Sequence, residues 1–114
     1  MVDAKVRSIL DKASGLDARV EEIYTGWETE GSFALSNGYR LEIKFDKHYG
    51  VASISLKDES GTYLLLESYT DAETIEYAWN WYTPKAKASH DEWMRRQVKK
   101  EKETQQRIQD FVDS

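Results

Sequence analysis

The sequence predicts an α+β domain: a four-stranded antiparallel meander with an N-terminal helix and two C-terminal helices, packed mainly on one face of the sheet. Apolar residues recur at helical spacing near both ends of the chain, and they alternate with polar residues in the middle. Turn-forming residues separate the alternating segments. A length of 114 residues is typical of one domain, so we expect residues 1–114 to form a single folded unit.

The first segment predicts a helix over about residues 3–24. Its apolar residues are spaced three and four apart: Val2, Val6, Ile9, Ala13, Leu16, Val20 and Ile23. Gly15 interrupts this stripe and costs about 1 kcal/mol of helix stability relative to alanine, so the pattern allows one kinked helix or two helices that meet there. Because the stripe keeps its phase across Gly15, we expect a continuous or kinked helix that ends at Gly26.

Antiparallel strands are predicted between about residues 31 and 69. The pair Asn37-Gly38 fits a two-residue hairpin turn, because both positions of that turn need a positive φ. Further elements follow in order: an alternating strand from Tyr39, a turn at 47–50, a strand at 51–57, a turn at 58–61 and a strand at 62–69. Loops this short join antiparallel strands, since parallel strands need long crossover connections.

Two helices are predicted after the sheet, over about residues 71–83 and 90–112. Thr70-Asp71 fits the N-cap of the first helix, and Pro84 is expected to end it. Residues 85–88 then form a short linker, and Ser89 with Glu92 has the spacing of a capping box that begins the last helix.

The last predicted helix has an unusual composition. Met94, Val98, Ile108 and Val112 keep a helical spacing, but polar residues occupy the positions between them. A polar middle cannot drive burial, so we expect this helix to pack at its ends and to be solvated between them. Such a helix can project from the body of the domain.

The residue inventory excludes several kinds of chemistry. Without cysteine, the chain has no disulfide, no thiolate metal site and no cysteine nucleophile. His48 and His90 lie far apart in the sequence, and no glycine-rich phosphate loop or Gly-x-Ser-x-Gly turn is present. We therefore expect no metal ion, no cofactor and no catalytic residues, and the chain is predicted not to be an enzyme.

Charge and hydropathy restrict the partners and the location. The 16 basic and 21 acidic side chains give a net charge of −5, which disfavours duplex nucleic acid as a partner. No apolar run approaches the roughly 20 residues that span a bilayer. The first residues also lack the apolar segment of a signal peptide, so we expect a cytoplasmic protein that contacts no membrane.

One segment carries more aromatic side chains than a single packed face explains. At 100° per residue, Trp79 and Tyr82 share one side of the predicted helix, whereas Tyr77 and Trp81 fall on another. Three interpretations of Tyr77 and Trp81 remain open. The first or last helix covers them as core residues, they form an exposed patch for a partner protein, or they stack on bases.

Four aromatic residues are the candidate partner-binding residues: Tyr77, Trp81, Trp93 and Trp27. A second set of candidates lies on the last helix, where five basic side chains could contact phosphates or an acidic partner: Arg95, Arg96, Lys99, Lys100 and Lys102. Acidic residues interleave with these basic residues and reduce the electrostatic field that they produce. This pattern favours a solvated helix whose charged side chains pair with one another along the same helix.

The sequence therefore predicts a non-catalytic protein–protein interaction module. It would bind another protein, or a second copy of itself as a homodimer, through the aromatic helix face and the terminal helices. A small inhibitor or accessory factor of the kind that phages and mobile elements encode is a specialised form of this prediction. The alternative is a nucleic-acid-binding protein that uses the basic residues of the last helix.

Overall fold

Two helices pack on one face of an antiparallel sheet in the computed structural model, which describes residues 1–25 and 28–114. The described elements are α1 (Ala4–Ser14), β1 (Arg19–Thr25), β2 (Glu28–Ala34), β3 (Arg40–Asp46), β4 (Val51–Lys57), β5 (Tyr63–Tyr69) and α2 (Ala72–Asp113). Each strand pairs antiparallel with the next one along the chain. The α+β class and the antiparallel meander are confirmed. Within the described residues there are five strands and two helices, so the predicted four strands and three helices are wrong.

The predicted helix over residues 3–24 is in fact a shorter helix followed by a strand. α1 ends at Ser14, with Gly15 as its C-cap, and β1 begins at Arg19. A β-bulge at Glu21 explains the error, because the extra residue brings Val20 and Ile23 to the same face of the sheet. Residues three apart on a bulged strand have the spacing of a helical stripe. The predicted helix end at Gly26 lies outside the described residues.

The hairpin between β2 and β3 is longer than the predicted two-residue turn. The N–H of Leu35 donates to the carbonyl of Tyr39 at 2.9 Å, which leaves a three-residue loop between them. Gly38 adopts a positive φ of 89°, whereas Asn37 does not and uses its side-chain oxygen to accept the N–H of Tyr39. A three-residue loop with glycine at the left-handed position is a common alternative to the two-residue turn.

The core lies between the sheet and the two helices. β3 alternates between buried and partly exposed residues as predicted, and its register places Ile43 between Gly31 of β2 and Ile54 of β4. The buried apolar side chains are Val6, Leu10 and Ala13 of α1, Phe33, Leu41, Ile43, Phe45, Ala52, Ile54, Leu65 and Tyr69 of the strands, Leu35 of the following loop, and Ala78 and Tyr82 of α2. Apart from Leu64 and Leu66 of β5, the other face of the sheet is mostly polar, which is usual for an antiparallel sheet covered on one side.

Among the described residues, Tyr82 is the largest fully buried side chain, and it is 1% exposed. Its ring lies against Gly31 and makes edge contacts with Phe33 and Phe45, at centroid distances of 5.9 and 5.3 Å. The hydroxyl donates to the main-chain carbonyl of Glu30 at 3.2 Å, so the buried polar atom has a partner. Tyr82 therefore packs α2 against β2.

The N-terminal ends of the two helices are joined. Asp71 caps α2 by accepting the N–H of Thr74, as the sequence predicts, and Asp3 caps α1 in the same way. The hydroxyl of Thr74, which is fully buried, accepts the main-chain N–H of Asp3 at 2.9 Å. This contact links residues 71 positions apart in the chain and holds α1 beside the first turn of α2.

α2 is one helix of 42 residues, so the predicted helices over 71–83 and 90–112 are parts of a single element. Pro84 lies inside it, and residues 85–88 are helical rather than a linker. Proline removes one main-chain hydrogen bond, but residues 85–88 are lysine and alanine, which favour the helix. The capping-box spacing at Ser89 is therefore not a helix start.

A side chain at position 31 should destabilise this core. A Cβ on Gly31 would lie 2.6 Å from Cε2 of Tyr82, which is enclosed and has little room to move. We expect Gly31→Ala to lower the free energy of unfolding by about 1–3 kcal/mol, as overpacking does, measured by urea denaturation. Gly15→Ala is the matched control, because its Cβ would meet a neighbour at an ordinary 3.5 Å. Equal stability of the two variants would contradict the packing described for Tyr82.

Candidate protein-docking surface

The first four turns of α2 have neighbours on two sides. The sheet covers Ala78 and Tyr82, and α1 lies against Tyr77 and Trp81. The hydroxyl of Tyr77 donates to the carboxylate of Asp11. α1 and the sheet contact different sides of α2. One chain therefore covers both the side that carries Tyr82 and the side that carries Tyr77 and Trp81.

Trp81 is anchored at both ends of its ring system. Its indole Nε1 donates to the hydroxyl of Ser14 at 2.9 Å, and its ring makes an edge contact with Phe33 at 5.1 Å. The ammonium of Lys85 lies 4.1 Å from the ring centroid, a cation–π geometry. Burial lowers the pKa of this lysine. Trp81 therefore closes the edge of the core beside α1.

These contacts remove the reason for which the sequence predicts that Tyr77 and Trp81 bind a partner. That prediction assumed a helix face without a neighbour in the chain, and α1 is that neighbour. Both side chains are half-buried. Of the three interpretations, the described contacts agree with coverage by the first helix.

Beyond residue 86, α2 leaves the body of the domain. We call residues 87–113 the arm; at 1.5 Å per residue it is about 40 Å long. Every residue of the arm except Ser89 is exposed, and the molecule measures 65 Å along its longest axis against 33 and 21 Å across it. The prediction that the last helix packs at its ends is thus wrong for its C-terminal end, whereas projection from the body is what the structure shows.

The arm carries large apolar side chains in solvent. They are Trp93, Met94, Val98, Ile108, Phe111 and Val112, and their exposed fractions run from 45% to 80%. At 100° per residue, all six fall within an arc of about 140° around the helix axis. Isolated exposed apolar residues are ordinary, but six along one face of an uncovered helix make this face the candidate docking surface.

One row of this face has a coiled-coil spacing. We call it the seam: Met94, Val98, Glu101, Gln105, Ile108 and Val112, which are four and three residues apart in turn. Four of its six positions are apolar, and the two polar ones are adjacent at its centre. Trp93 is the only residue of this face among the sequence-predicted binding residues, although the spacing that marks the seam is visible in the sequence. That spacing predicts packing at the ends of the last helix and dimerisation through the terminal helices.

The opposite side of the arm is charged. Arg95, Arg96 and Lys99 are exposed there, and Lys100 and Lys102 are exposed where this side borders the apolar face. Arg96 pairs with Glu92 at 2.5 Å within one helical turn. Exposed pairs of this kind contribute only a few tenths of a kcal/mol to the helix. Acidic residues lie among the basic ones, so this side is a mixed, solvated surface.

Of the two remaining candidate tryptophans, Trp93 lies on the arm and is 54% exposed. Its ring stacks near the imidazole of His90, at a centroid distance of 6.1 Å. Trp27 lies outside the described residues. Trp93 is therefore the sequence-predicted aromatic residue that the structure places on the exposed apolar face.

The open face of the sheet holds a depression of about 580 Å³. Charged side chains line it, including Arg40 of β3 with Glu21 of β1 at 2.9 Å, and Glu42, which pairs at 3.5 Å with Lys57 of the next strand. Every buried side-chain nitrogen and oxygen within the described residues has a hydrogen-bond partner. Such a satisfied cross-strand network describes a solvated sheet face rather than a pocket that awaits a ligand.

A second apolar surface lies along β5 at the edge of the sheet. Leu64 and Leu66 are 54% and 68% exposed, and a shallow groove runs between this strand and Ile9 of α1. The sequence analysis placed β5 correctly but did not identify its outward leucines as exposed. The groove is short compared with the arm, which presents six apolar residues over more than five helical turns.

The described residues provide neither a metal site nor a membrane-spanning helix. Among residues 1–25 and 28–114, no cluster of histidine, aspartate or glutamate side chains has the arrangement needed to hold a metal ion. Neither described helix combines the length and the apolar character that crossing a bilayer requires.

Comparison of the chain with protein-family models, with curated proteins and with solved structures found no match. The function proposed for the chain therefore rests on its own residues.

The two tryptophans on either side of Pro84 should behave differently when truncated. Loss of a buried tryptophan costs about 3–5 kcal/mol, and Trp81 is half-buried, so we expect Trp81→Ala to lower the free energy of unfolding by about 2 kcal/mol. Trp93→Ala, on the solvated arm, should change it by less than about 0.5 kcal/mol. Chemical denaturation at low protein concentration measures both, and an equal loss from each would contradict the division into body and arm.

The contact between α1 and α2 should weaken at alkaline pH. The hydrogen bond to Asp11 raises the pKa of Tyr77, and burial raises it further. The folded state holds the proton of the Tyr77 hydroxyl more tightly than the unfolded chain does. The stability that this hydrogen bond contributes is therefore complete below the ordinary tyrosine pKa of 10.0, and it is lost as the pH rises through the pKa of Tyr77 in the folded state. We expect Tyr77→Phe to cost about 1 kcal/mol at neutral pH and to lose less stability than wild type above pH 10.

Thermal unfolding across this pH range tests the prediction. Tyr49→Phe is the control, because Tyr49 is 75% exposed in a turn and should leave the alkaline profile unchanged. If Tyr77→Phe and Tyr49→Phe gave the same profile, the Tyr77–Asp11 contact would not contribute to the fold.

Proposed function

We propose that this protein is a non-catalytic interaction module that binds a partner protein along the apolar face of the arm. The observation that carries the proposal is the exposure of six large apolar side chains on one face of a helix that leaves the body. Water contact with this much apolar surface is unfavourable, and burial of it is the main source of affinity in protein association. The body of the domain then serves to anchor and orient the arm.

The shape of the surface favours a helix as the bound element. The seam has the four–three spacing of a coiled coil, and a straight helix offers its partner a narrow stripe rather than a cleft. Glu101 and Gln105 at the centre of the seam would need polar groups opposite them. A partner helix with apolar residues at both ends and polar residues in its middle satisfies this requirement.

A small inhibitor or accessory factor acts by docking of this kind, without catalysis of its own. Nucleic-acid binding is the competing function, through the basic residues on the opposite side of the arm. Four acidic residues, Asp91, Glu92, Glu101 and Glu103, flank or separate those five basic residues, so the net charge over residues 91–103 is only +1 and the field for a phosphate backbone is weak. The apolar face has no role in that alternative, so the two functions predict contacts on opposite sides of one helix.

Site-specific photo-crosslinking in the producing cell separates them. A photoreactive amino acid is placed at Val98 in the seam, or at Glu103 on the charged side, where both positions are exposed on the same helix. We expect several-fold more adduct from position 98, and mass spectrometry should identify a peptide in it. Ile108→Lys, in the chain that carries the photoreactive residue at position 98, is the matching binding variant, and it should abolish partner capture without changing the circular dichroism of the body.

Two results would contradict the proposal. Nucleotide adducts that disappear when Lys99 and Lys100 become alanine would establish the nucleic-acid alternative instead. Equal adduct yields from positions 98 and 103 would show that the arm has no preferred binding face.

A further inference from the structure

We infer that the partner of the arm is a second copy of this chain, bound antiparallel in one defined register. This inference rests on the proposed function and names its partner. In this register Met94 lies opposite Val112 of the second copy, and Val98 lies opposite Ile108 of the second copy. Glu101 then lies opposite Gln105, and the remaining positions follow by symmetry about residue 103.

In this register, each apolar residue of the seam lies opposite an apolar residue of the second copy, and each polar residue lies opposite a polar one. The two outer layers at each end are apolar on both sides: methionine with valine, and valine with isoleucine. The two central layers each pair the carboxylate of Glu101 with the side-chain amide of Gln105, which can donate to it. A buried polar layer of this kind specifies register and orientation in coiled coils. Two-fold symmetry requires a self-complementary surface, and the seam is one.

A parallel pair would lack this match at its centre. Each residue would lie opposite itself, so the two Glu101 carboxylates would meet inside the seam. Like charges in a partly desolvated site repel strongly, because the local dielectric is lower than that of water. The seam therefore distinguishes between the two orientations.

The charge along the arm also favours the antiparallel orientation. Residues 94–102 carry five basic and one acidic side chain, a net of +4, and residues 103–113 carry one basic and three acidic, a net of −2. Antiparallel pairing places the positive segment of one copy beside the negative segment of the other. Parallel pairing places the two positive segments side by side.

One like-charge contact remains in the antiparallel pair, where Lys102 approaches its own copy near the symmetry axis. Lys102 borders the seam, its side chain is exposed, and Glu101 and Glu103 are its neighbours in sequence. Repulsion there is reduced by solvent and by these carboxylates.

The body of the domain leaves room for this arrangement. Seven helical residues, 87–93, all exposed except Ser89, separate the body from the first layer at Met94, a distance of about 10 Å. In an antiparallel pair the two bodies lie at opposite ends of the paired arms, so they do not collide. The overlap from 94 to 112 is about 28 Å long, and a pair this short should dissociate at micromolar concentration.

Disulfide trapping in the full-length chain tests the register, because the protein has no cysteine of its own. Met94→Cys and Val112→Cys variants are prepared separately, mixed and oxidised under mild conditions. We expect a disulfide-linked dimer from the mixture and little from either variant alone. In the antiparallel register, position 94 is about 27 Å from its own copy but directly opposite position 112. A dimer from Met94→Cys alone would show parallel pairing and overturn the inference.

Sedimentation of the protein over a range of concentrations tests self-association itself. We expect wild type to dimerise and Val98→Lys to raise the dimer Kd about tenfold or more, since a lysine would replace an apolar layer. Gln106→Lys adds the same charge on the side of the arm away from the seam, so it is the control and should weaken the dimer much less.

A wild-type chain that stays monomeric at every concentration would overturn the inference. The proposed function would survive that result if the photo-crosslink at position 98 still captured a different protein. It would fail if position 98 captured no protein, if nucleotide adducts formed instead, or if positions 98 and 103 gave equal yields, so the two proposals fail separately.

Discussion

The contact of Tyr82 with Gly31 is the constraint on which the rest of the structure depends. A tyrosine ring can approach β2 this closely only because residue 31 has no side chain. The ring then lies between Phe33 and Phe45 and sets the height and rotation of α2 over the sheet. Once that rotation is set, Tyr77 and Trp81 must point along the sheet rather than toward it, and α1 occupies the space beside them.

The same helix serves the core at one end and faces solvent at the other. Up to residue 86 its side chains are shared between the sheet and α1, whereas the arm has no described neighbour. The change falls close to Pro84, where one main-chain hydrogen bond is lost. A rigid arm that begins in a packed core can present its seam at a defined distance from the body. That arrangement would suit the proposed docking, since the body fixes the position of a surface whose residues lie outside the core.

The strands were the most predictable part of the fold, and the ends of the helices the least. β4 matches the predicted strand at 51–57 residue for residue, because alternating burial is a local property of a strand with one covered face. β1 was mistaken for helix because its bulge gives Val20 and Ile23 a three-residue spacing. Pro84 was expected to end a helix, and it does not. In each error a local signal had two structural meanings, and the pairing of distant segments selected between them.

By itself, the sequence determined the antiparallel meander, the polar face of its strands, the cap at Asp71 and the four–three spacing of the seam. These features depend on residues that are near neighbours in the chain, so their chemistry is legible without a structure. Only the tertiary structure decided which aromatic residues are covered and which apolar residues are not. Coverage depends on where α1 lies, and α1 is held beside α2 by contacts between residues more than 60 positions apart. Spacing along a chain states which side chains share a face, but only the packing of distant elements determines whether that face meets another part of the protein or water.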